Sequence, residues 1–323
     1  MEASQFFTAS AVTIVAGKGG VGKTTVTAAL ALAAAMSGLS VLIVEIEGKS
    51  GLGRLFGIDR LDYEDVELLA PSAEAPGSIR ARTLTPDGAL MEYLGDHGLH
   101  RISKRLSESG AVDIVATATP GIKDVLILGK VKQIERSREF DVVFVDAPAA
   151  GHAITFLRSA SGLLDAVSVG PIQTQAAEVA ELLADPVRCQ VLLVTLPEET
   201  PVNEVVETAF SLEDQIGVAL APVVVNAMFS VRRGLDVDIR EAAHQAGLEL
   251  SDERIEQLDD AAQFRRDRML RQSEEIERLV EALPLKQLTL PFVFKGALGF
   301  DDLTVLSAAL LNQIEQWETP GDE

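Results

Sequence analysis

The feature that most constrains this chain is a glycine-rich segment at residues 17–25, which reads G-K-G-G-V-G-K-T-T. It follows a β-branched apolar run and precedes an alanine-rich apolar stretch, so we expect a buried strand, a tight turn and a buried helix in that order. The glycines let several backbone N–H groups converge, and the helix N-terminus adds its positive end. The segment therefore predicts an anion-binding loop at the edge of an α/β sheet.

The spacing G-x-x-x-x-G-K-T within this segment is that of a P-loop, which binds the phosphates of a nucleotide such as ATP. Lys23 is expected to reach the β- and γ-phosphates, and Thr24 to offer its hydroxyl to Mg²⁺. A glycine-rich turn that binds nothing is the alternative, but such a turn has no reason to bury a lysine. The predicted nucleotide-contact residues are Gly17, Gly19, Gly20, Val21, Gly22, Lys23, Thr24 and Thr25.

A second apolar strand is predicted to end at Asp146, which begins the sequence D-A-P-A-A-G-H. An aspartate in this position is typical of a Walker B site, where it holds Mg²⁺ through water because the ion keeps much of its hydration shell. Gly151 is expected to give its N–H to the γ-phosphate and so to sense the nucleotide. A turn-capping aspartate is the alternative, but its pairing with the loop at Gly17 favours the metal site.

The second predicted strand runs into two carboxylates, Glu45 and Glu47, at the carboxyl edge of the sheet, where ligands bind in open α/β folds. Strand alternation places both side chains on one side, so they repel each other unless Mg²⁺ or a lysine lies between them. One of them is expected to orient the attacking water. A solvated edge is the alternative.

Short apolar runs alternate with helical patterns along the whole chain, which is typical of βαβ units. Several of the runs are unbroken and β-branched, as expected for parallel strands covered on both faces. We predict a single α/β domain over residues 1–323, with a doubly wound, mostly parallel sheet of about eight strands and helices on both faces. The predicted strands are 11–16, 41–45, 79–84, 142–145, 166–169, 191–196, 222–225 and 288–290.

Two longer stretches, at about residues 87–138 and 236–283, are expected to add helices to this sheet. The later part of the second stretch has apolar residues at three-four spacing, interrupted by Arg265 and Gln272. This stripe fits a long helix that rests on its own domain, and the alternative is a surface for a dimer or a client. Its members are Ile255, Leu258, Ala262, Met269, Ile276, Leu279 and Leu283.

Composition limits the partners and the compartment. The chain has 28 Lys and Arg residues against 49 Asp and Glu residues, and this acidity argues against nucleic acid as a partner. The first residues lack the basic start of a signal peptide, and the apolar run at 26–36 is too short to span a membrane. A single cysteine, Cys189, allows no intrachain disulfide. A cytoplasmic protein is expected.

Lys18 is unusual, because cradling phosphate within one subunit requires no particular side chain at that position. A second cation there costs repulsion unless it has an anion. The loop resembles the deviant Walker A class, in which this lysine reaches across a nucleotide-sandwich dimer to the phosphates of the other subunit. That resemblance implies dimerisation, with catalysis only in the closed dimer. A surface lysine without a role is the alternative.

Together, residues 17–25, 41–56, 146–157, Asn226 and Pro291 resemble the arsenite-pump and tail-anchored-protein-targeting ATPase family, in a bacterial branch. The resemblance covers nearly the whole chain and implies a Mg-ATP-dependent ATPase switch. The segment Asp146 to His152 matches the family's second switch in length.

The same resemblance assigns a base site and a water-positioning residue. Asn226 is expected to read the adenine edge, although it could instead cap a turn, and Pro291 and Phe292 to pack on the base. In the family, an aspartate after strand two positions the hydrolytic water, and that position is Glu47 here. The longer side chain displaces water from the productive geometry, so slow hydrolysis is expected.

The same resemblance bears on which client to expect. Arsenite-pump members bind metalloid through cysteine thiolates, and eukaryotic targeting members carry a C-x-x-C zinc clasp. Cys189 alone builds neither site. The stretch 87–138 resembles the client-binding region, and its apolar side chains fit either a groove for a hydrophobic client peptide or membrane protein, or a rigid core.

The expected assembly is a homodimer, or a heterodimer with a paralogous subunit that brings a normal switch. Two other functions are left open. A partition- or division-type switch shares the loop, but it normally carries basic segments, whereas this chain has an acidic end. A nucleotide-binding scaffold with little turnover is the other.

Overall fold

A sheet of nine strands forms the centre of the part of the chain that the structure describes. The structure is a computed structural model, which describes residues 2–46, 51–96, 98, 121–167 and 169–317. The strands are β1 (Val12–Gly17), β2 (Ser40–Ile46), β3 (Val66–Leu69), β4 (Ser78–Leu84), β5 (Val142–Ala149), β6 (Cys189–Thr195), β7 (Ala219–Leu220), β8 (Val223–Met228) and β9 (Gln287–Pro291).

The strand order is β3-β4-β2-β5-β1-β6-β8-β9, with β7 paired to β6. Only β3 runs antiparallel to its neighbour among these strands. The order reverses on either side of β1, which lies between β5 and β6. Such a reversal opens a crevice at the carboxyl ends of the strands, where ligands of α/β proteins bind.

Helices cover both faces of the sheet, so the predicted doubly wound α/β architecture is confirmed. The helices are α1 (Ala3–Phe7), α2 (Lys23–Met36), α3 (Gly51–Leu55), α4 (Pro86–Asp96), α5 (Ile122–Ser137), α6 (Ala150–Ala166), α7 (Pro171–Ala184), α8 (Glu199–Ile216), α9 (Ile239–Gln245), α10 (Asp252–Ala282) and α11 (Phe300–Glu315). One face packs against α1, α2, α3 and α11, and the other against α4 to α8 and the end of α10.

The helix after the glycine-rich loop, α2, is buried on nearly every side. Its run from Val26 to Ala35 is inaccessible or almost so, and it consists mostly of alanine. Small side chains let α2 approach both the sheet and α11 closely, where the Ser307 hydroxyl donates a hydrogen bond to the Ala29 carbonyl at 2.9 Å. The alanine content is therefore a packing requirement.

The predicted strand at 166–169 is wrong. The helical pattern of α6 continues to Ala166, and Val169 is 82 % exposed just before the glycine and proline that begin α7. A short apolar run does not by itself distinguish a strand from a helix end. Two strands escaped prediction because β3 is a half-exposed edge strand and β7 has only two residues.

The two helical stretches differ in how they pack. In the first, α5 is a core element, and its residues Val125 to Leu128 are buried in the hydrophobic cluster that this helix shares with the sheet. The apolar residues at 99–120 lie outside the described residues. In the second, α10 rests on the domain only by its later half, where Leu279 is inaccessible, whereas Leu258 is 39 % exposed. Among the described helices, none combines the length and apolarity needed to cross a bilayer.

We predict that Ala29→Leu lowers the free energy of unfolding by about 1–3 kcal/mol, because added methylenes overpack a filled interface. Urea denaturation followed by circular dichroism measures this change. Ala261→Leu, at an exposed position of the helix α10, is the matched control and should change stability by less than about 0.5 kcal/mol. Equal effects at both positions would contradict the packing argument.

Candidate nucleotide-binding site

The loop between β1 and α2 lies at the crevice beside the central strand. A side chain at Gly17 would place its Cβ 2.3 Å from the Val194 carbonyl oxygen, so the loop passes β6 too closely for any residue larger than glycine. Gly22 has a φ of 88°, and a Cβ there would meet the Asn226 amide at 2.3 Å. The loop can adopt its shape only with glycine at these positions.

Thr24 and Asp146 meet at the mouth of this loop. The Thr24 hydroxyl donates a hydrogen bond to Asp146 Oδ2 at 2.7 Å, although the two residues are far apart in sequence. Asp146 is 1 % exposed and ends the apolar part of β5, beside β1. A hydroxyl and a carboxylate are hard oxygen donors of the kind that Mg²⁺ takes, so these residues fit the predicted metal role.

The two loop lysines have different environments. Lys23 is 9 % exposed, and its Nζ donates a hydrogen bond to the Lys18 carbonyl at 2.9 Å, so the amine curls over the loop. Lys18 points away, and its Nζ forms an ion pair with Glu204 Oε1 on α8 at 2.6 Å. The anion that Lys18 requires is thus present within its own chain.

Asn226 holds the loop from the side. Its Nδ2 donates a hydrogen bond to the Val21 carbonyl at 2.9 Å, and its Oδ1 accepts one from the Ala227 N–H at 2.9 Å. Ala227 has a φ of 61°, an uncommon conformation for a residue with a Cβ. In this structure the amide therefore supports the P-loop, and its predicted role toward adenine stays a prediction.

Pro291 and Phe292 lie at the end of β9, next to the end of β8. The Phe292 N–H donates a hydrogen bond to the Met228 carbonyl at 2.7 Å. Phe292, Phe229 and Phe294 form a cluster with ring centroids 4.7–5.5 Å apart. Phe292 is 40 % exposed, so the cluster offers an aromatic surface beside the loop.

The helix α10 supplies two residues to this region that sequence reasoning treated only as breaks in a stripe. The Arg265 guanidinium lies 5.3 Å from the ring centroids of Phe229 and Phe294. Gln272 is 2 % exposed, and it accepts a hydrogen bond from the Phe229 N–H at 2.9 Å and donates one to the Ala227 carbonyl at 3.2 Å. Their position as polar residues within an apolar helix stripe was the sequence signal that could have identified them.

The switch residues are only partly described. Glu47 lies with residues 48–50 outside the described residues, so its predicted role is untested. Glu45 is 2 % exposed and accepts a hydrogen bond from the Thr83 hydroxyl at 3.1 Å. After the gap, a Cβ at Gly51 would lie 3.6 Å from the Thr24 methyl group. Gly151 falls in the first turn of α6, directly after β5.

Comparisons with known proteins show which proteins this chain resembles. The model of the family described as anion-transporting ATPase matches residues 10–167. ATPase BagA of Mycobacterium tuberculosis is 31% identical over 319 residues, which cover 93% of this chain and 92% of that protein. Weaker similarities are 30% identity to ATPase get3 of Schizosaccharomyces japonicus, covering 44% of this chain and 42% of that protein, and 27% to the arsenical pump-driving ATPase of Acidiphilium multivorum, covering 66% and 38%.

The single cysteine, Cys189, lies at the start of β6 and is inaccessible. Burial raises the pKa of its thiol to about 12, so the thiol stays protonated at pH 8. Because the thiolate is both the nucleophile and the metalloid ligand, we predict no reaction with a disulfide reagent at pH 8 in the native protein. Reaction in urea should be complete, and rapid native labelling would contradict the buried position.

Proposed function

Because this chain belongs to the anion-transporting ATPase family, we propose that it is a Mg-ATP-dependent dimeric switch whose nucleotide state controls the binding and release of a client or partner protein. Membership in a family of ATPases supports ATP hydrolysis as the activity. The observation that carries the proposal is the 2.7 Å hydrogen bond between Thr24 and Asp146, which joins the P-loop to the second switch.

The chain's own residues would bind and orient the nucleotide. The backbone N–H groups of the loop, at the start of α2, would hold the phosphates, with the helix dipole adding positive potential. Lys23 would exchange the Lys18 carbonyl for a phosphate oxygen. Thr24 and Asp146 would hold the metal, which when bound neutralises charge on the β- and γ-phosphates.

Lys18 is the residue that would couple nucleotide binding to assembly. To reach the phosphates of a facing subunit, its Nζ must leave Glu204, with which it forms an ion pair in the single chain. Both side chains are more than one third exposed, so the ion pair contributes at most about 1 kcal/mol. A charge-assisted bond to phosphate in a closed, desolvated interface is stronger, and it favours the dimer when ATP is bound.

A cavity beside α6 supports the binding of a hydrophobic client. An open cavity of about 460 Å³ lies beside α6, lined by Ile154, Arg158, Ala166 and the residue before α5, Gly121. Most of the surface of this cavity is apolar, which suits a hydrophobic segment. Because α6 begins directly after β5, the strand that carries Asp146, a change at the phosphates would reach this cavity through one helix.

Dimerisation of the wild type and of three variants can be measured by light scattering with size-exclusion chromatography, with and without a non-hydrolysable ATP analogue and Mg²⁺. We expect ATP-dependent dimers from the wild type. Lys18→Ala should weaken dimerisation by about tenfold or more while single-chain nucleotide affinity stays the same. Glu204→Gln should strengthen dimerisation by up to about fivefold, because Lys18 is released.

Arg240→Ala is the matched control, since it breaks an exposed ion pair of 2.7 Å with Asp252 away from the loop. It should leave both assembly and nucleotide binding unchanged. Dimers that form equally well in Lys18→Ala would contradict the role of this lysine across an interface.

Glu47 generates a prediction about turnover. If its longer arm displaces the hydrolytic water, Glu47→Asp should raise kcat by about tenfold or more with little change in nucleotide affinity. Single-turnover hydrolysis and nucleotide titration separate the two quantities. A wild-type rate that already equals the rate of Glu47→Asp would refute slow hydrolysis, and with it the argument for a partner subunit that supplies a normal switch.

A further inference from the structure

Glu45 is a buried carboxylate beside the site that the proposed mechanism does not use. It precedes the last residue of β2, is 2 % exposed, and pairs in register with Asp146 on β5. Residues paired in parallel strands project to the same face, and neighbouring strands lie roughly 4.8 Å apart. Glu45 and Asp146 are therefore adjacent carboxylates.

The face on which they lie is the one that α2 covers. Val41 and Ile43 lie four and two residues before Glu45 on β2, so their side chains project to the same face as that of Glu45. Both pack in the hydrophobic cluster that contains α2. The N-terminal turn of α2 contributes Thr24, whose hydroxyl is bonded to Asp146 at 2.7 Å. Glu45 thus faces the place where the P-loop, β5 and β2 meet.

One oxygen of Glu45 has a defined neighbour on its other side. The Thr83 hydroxyl, itself 5 % exposed, donates a hydrogen bond to Glu45 Oε2 at 3.1 Å across the β2–β4 pair. Thr83 on β4 thus holds the carboxylate from one neighbouring strand, while Asp146 lies on the other neighbouring strand, β5.

Two ionised carboxylates side by side in a buried site repel each other, and a nearby cation offsets that repulsion. Mg²⁺ retains water molecules, so a carboxylate can act on it without direct coordination. We propose that Glu45 is a second carboxylate of the Mg²⁺ site, where it accepts hydrogen bonds from the ion's water molecules beside Asp146. This inference rests on the proposed nucleotide site.

If Glu45 has this role, its charge affects nucleotide affinity in opposite directions with and without Mg²⁺. A second negative charge next to the phosphates strengthens binding of Mg²⁺ with the nucleotide, but it weakens binding of the metal-free nucleotide by repulsion. The chain should therefore discriminate strongly against nucleotide that arrives without its metal. A residue that only supports the sheet would weaken both forms of binding when it is replaced.

The test uses Glu45→Gln in the full chain, because glutamine keeps the size and removes the charge. ADP affinity is measured by isothermal titration calorimetry in EDTA and across a Mg²⁺ series. We expect the Mg²⁺ concentration for half-maximal tightening to rise by about fivefold to tenfold, and metal-free ADP to bind as tightly as in the wild type or more tightly. The unfolding temperature without ligand reports on the fold.

Three further variants isolate the cause. Glu67→Gln removes an exposed charge from β3 and should match the wild type throughout. Thr83→Val removes the sheet hydrogen bond but keeps the charge of Glu45, so its Mg²⁺ response should stay within about twofold of the wild type. Glu45→Asp keeps the charge on a shorter arm and should fall between the wild type and Glu45→Gln.

The proposal is overturned if Glu45→Gln leaves the Mg²⁺ midpoint unchanged, or if it weakens metal-free and metal-bound ADP alike. It is also overturned if Thr83→Val reproduces the loss, since the sheet contact would then account for the effect. A wild-type chain that binds no nucleotide overturns the proposed function as well. If the wild type responds to Mg²⁺ and Glu45→Gln shows the same response, only the proposed role of Glu45 is overturned.

Discussion

The hydrogen bond between the Thr24 hydroxyl and the Asp146 carboxylate is the contact on which the site depends, because it joins a helix N-terminus to the end of a neighbouring strand. It forms only if β5 lies next to β1 and α2 lies flat on their common face. The alanine-rich α2 allows that close approach, and the glycine at residue 17 lets the loop pass close to β6. Packing and chemistry are therefore satisfied by the same residues.

A second group of contacts connects the P-loop to the helix α10. Asn226 supports the loop, and Gln272 and Arg265 of α10 hold the chain that follows Asn226 by hydrogen bonds and by contact with the aromatic cluster. The earlier half of α10 is exposed, whereas its later half packs on the domain. The helix α10 is therefore anchored beside the loop through Arg265 and Gln272.

Charge is arranged locally against the acidity of the whole chain. The formal net charge is -21, yet the loop carries Lys18 and Lys23 within one turn. Lys18 is balanced by Glu204 in the same chain. Glu45 and Asp146, paired in register on β2 and β5, bring two buried carboxylates to the same crevice.

The sequence alone determined the α/β class, seven of the strands and the pairing of the glycine-rich loop with Asp146, because these depend on local apolar runs and motif spacing. The strand at 166–169, the half-exposed β3 and the roles of Arg265 and Gln272 were decided by tertiary structure. An apolar run has no fixed conformation, and a polar residue in an apolar stripe acquires its meaning only from the backbone that it meets. The same holds for Lys18, whose partner Glu204 lies on a helix that no local pattern connects to the loop.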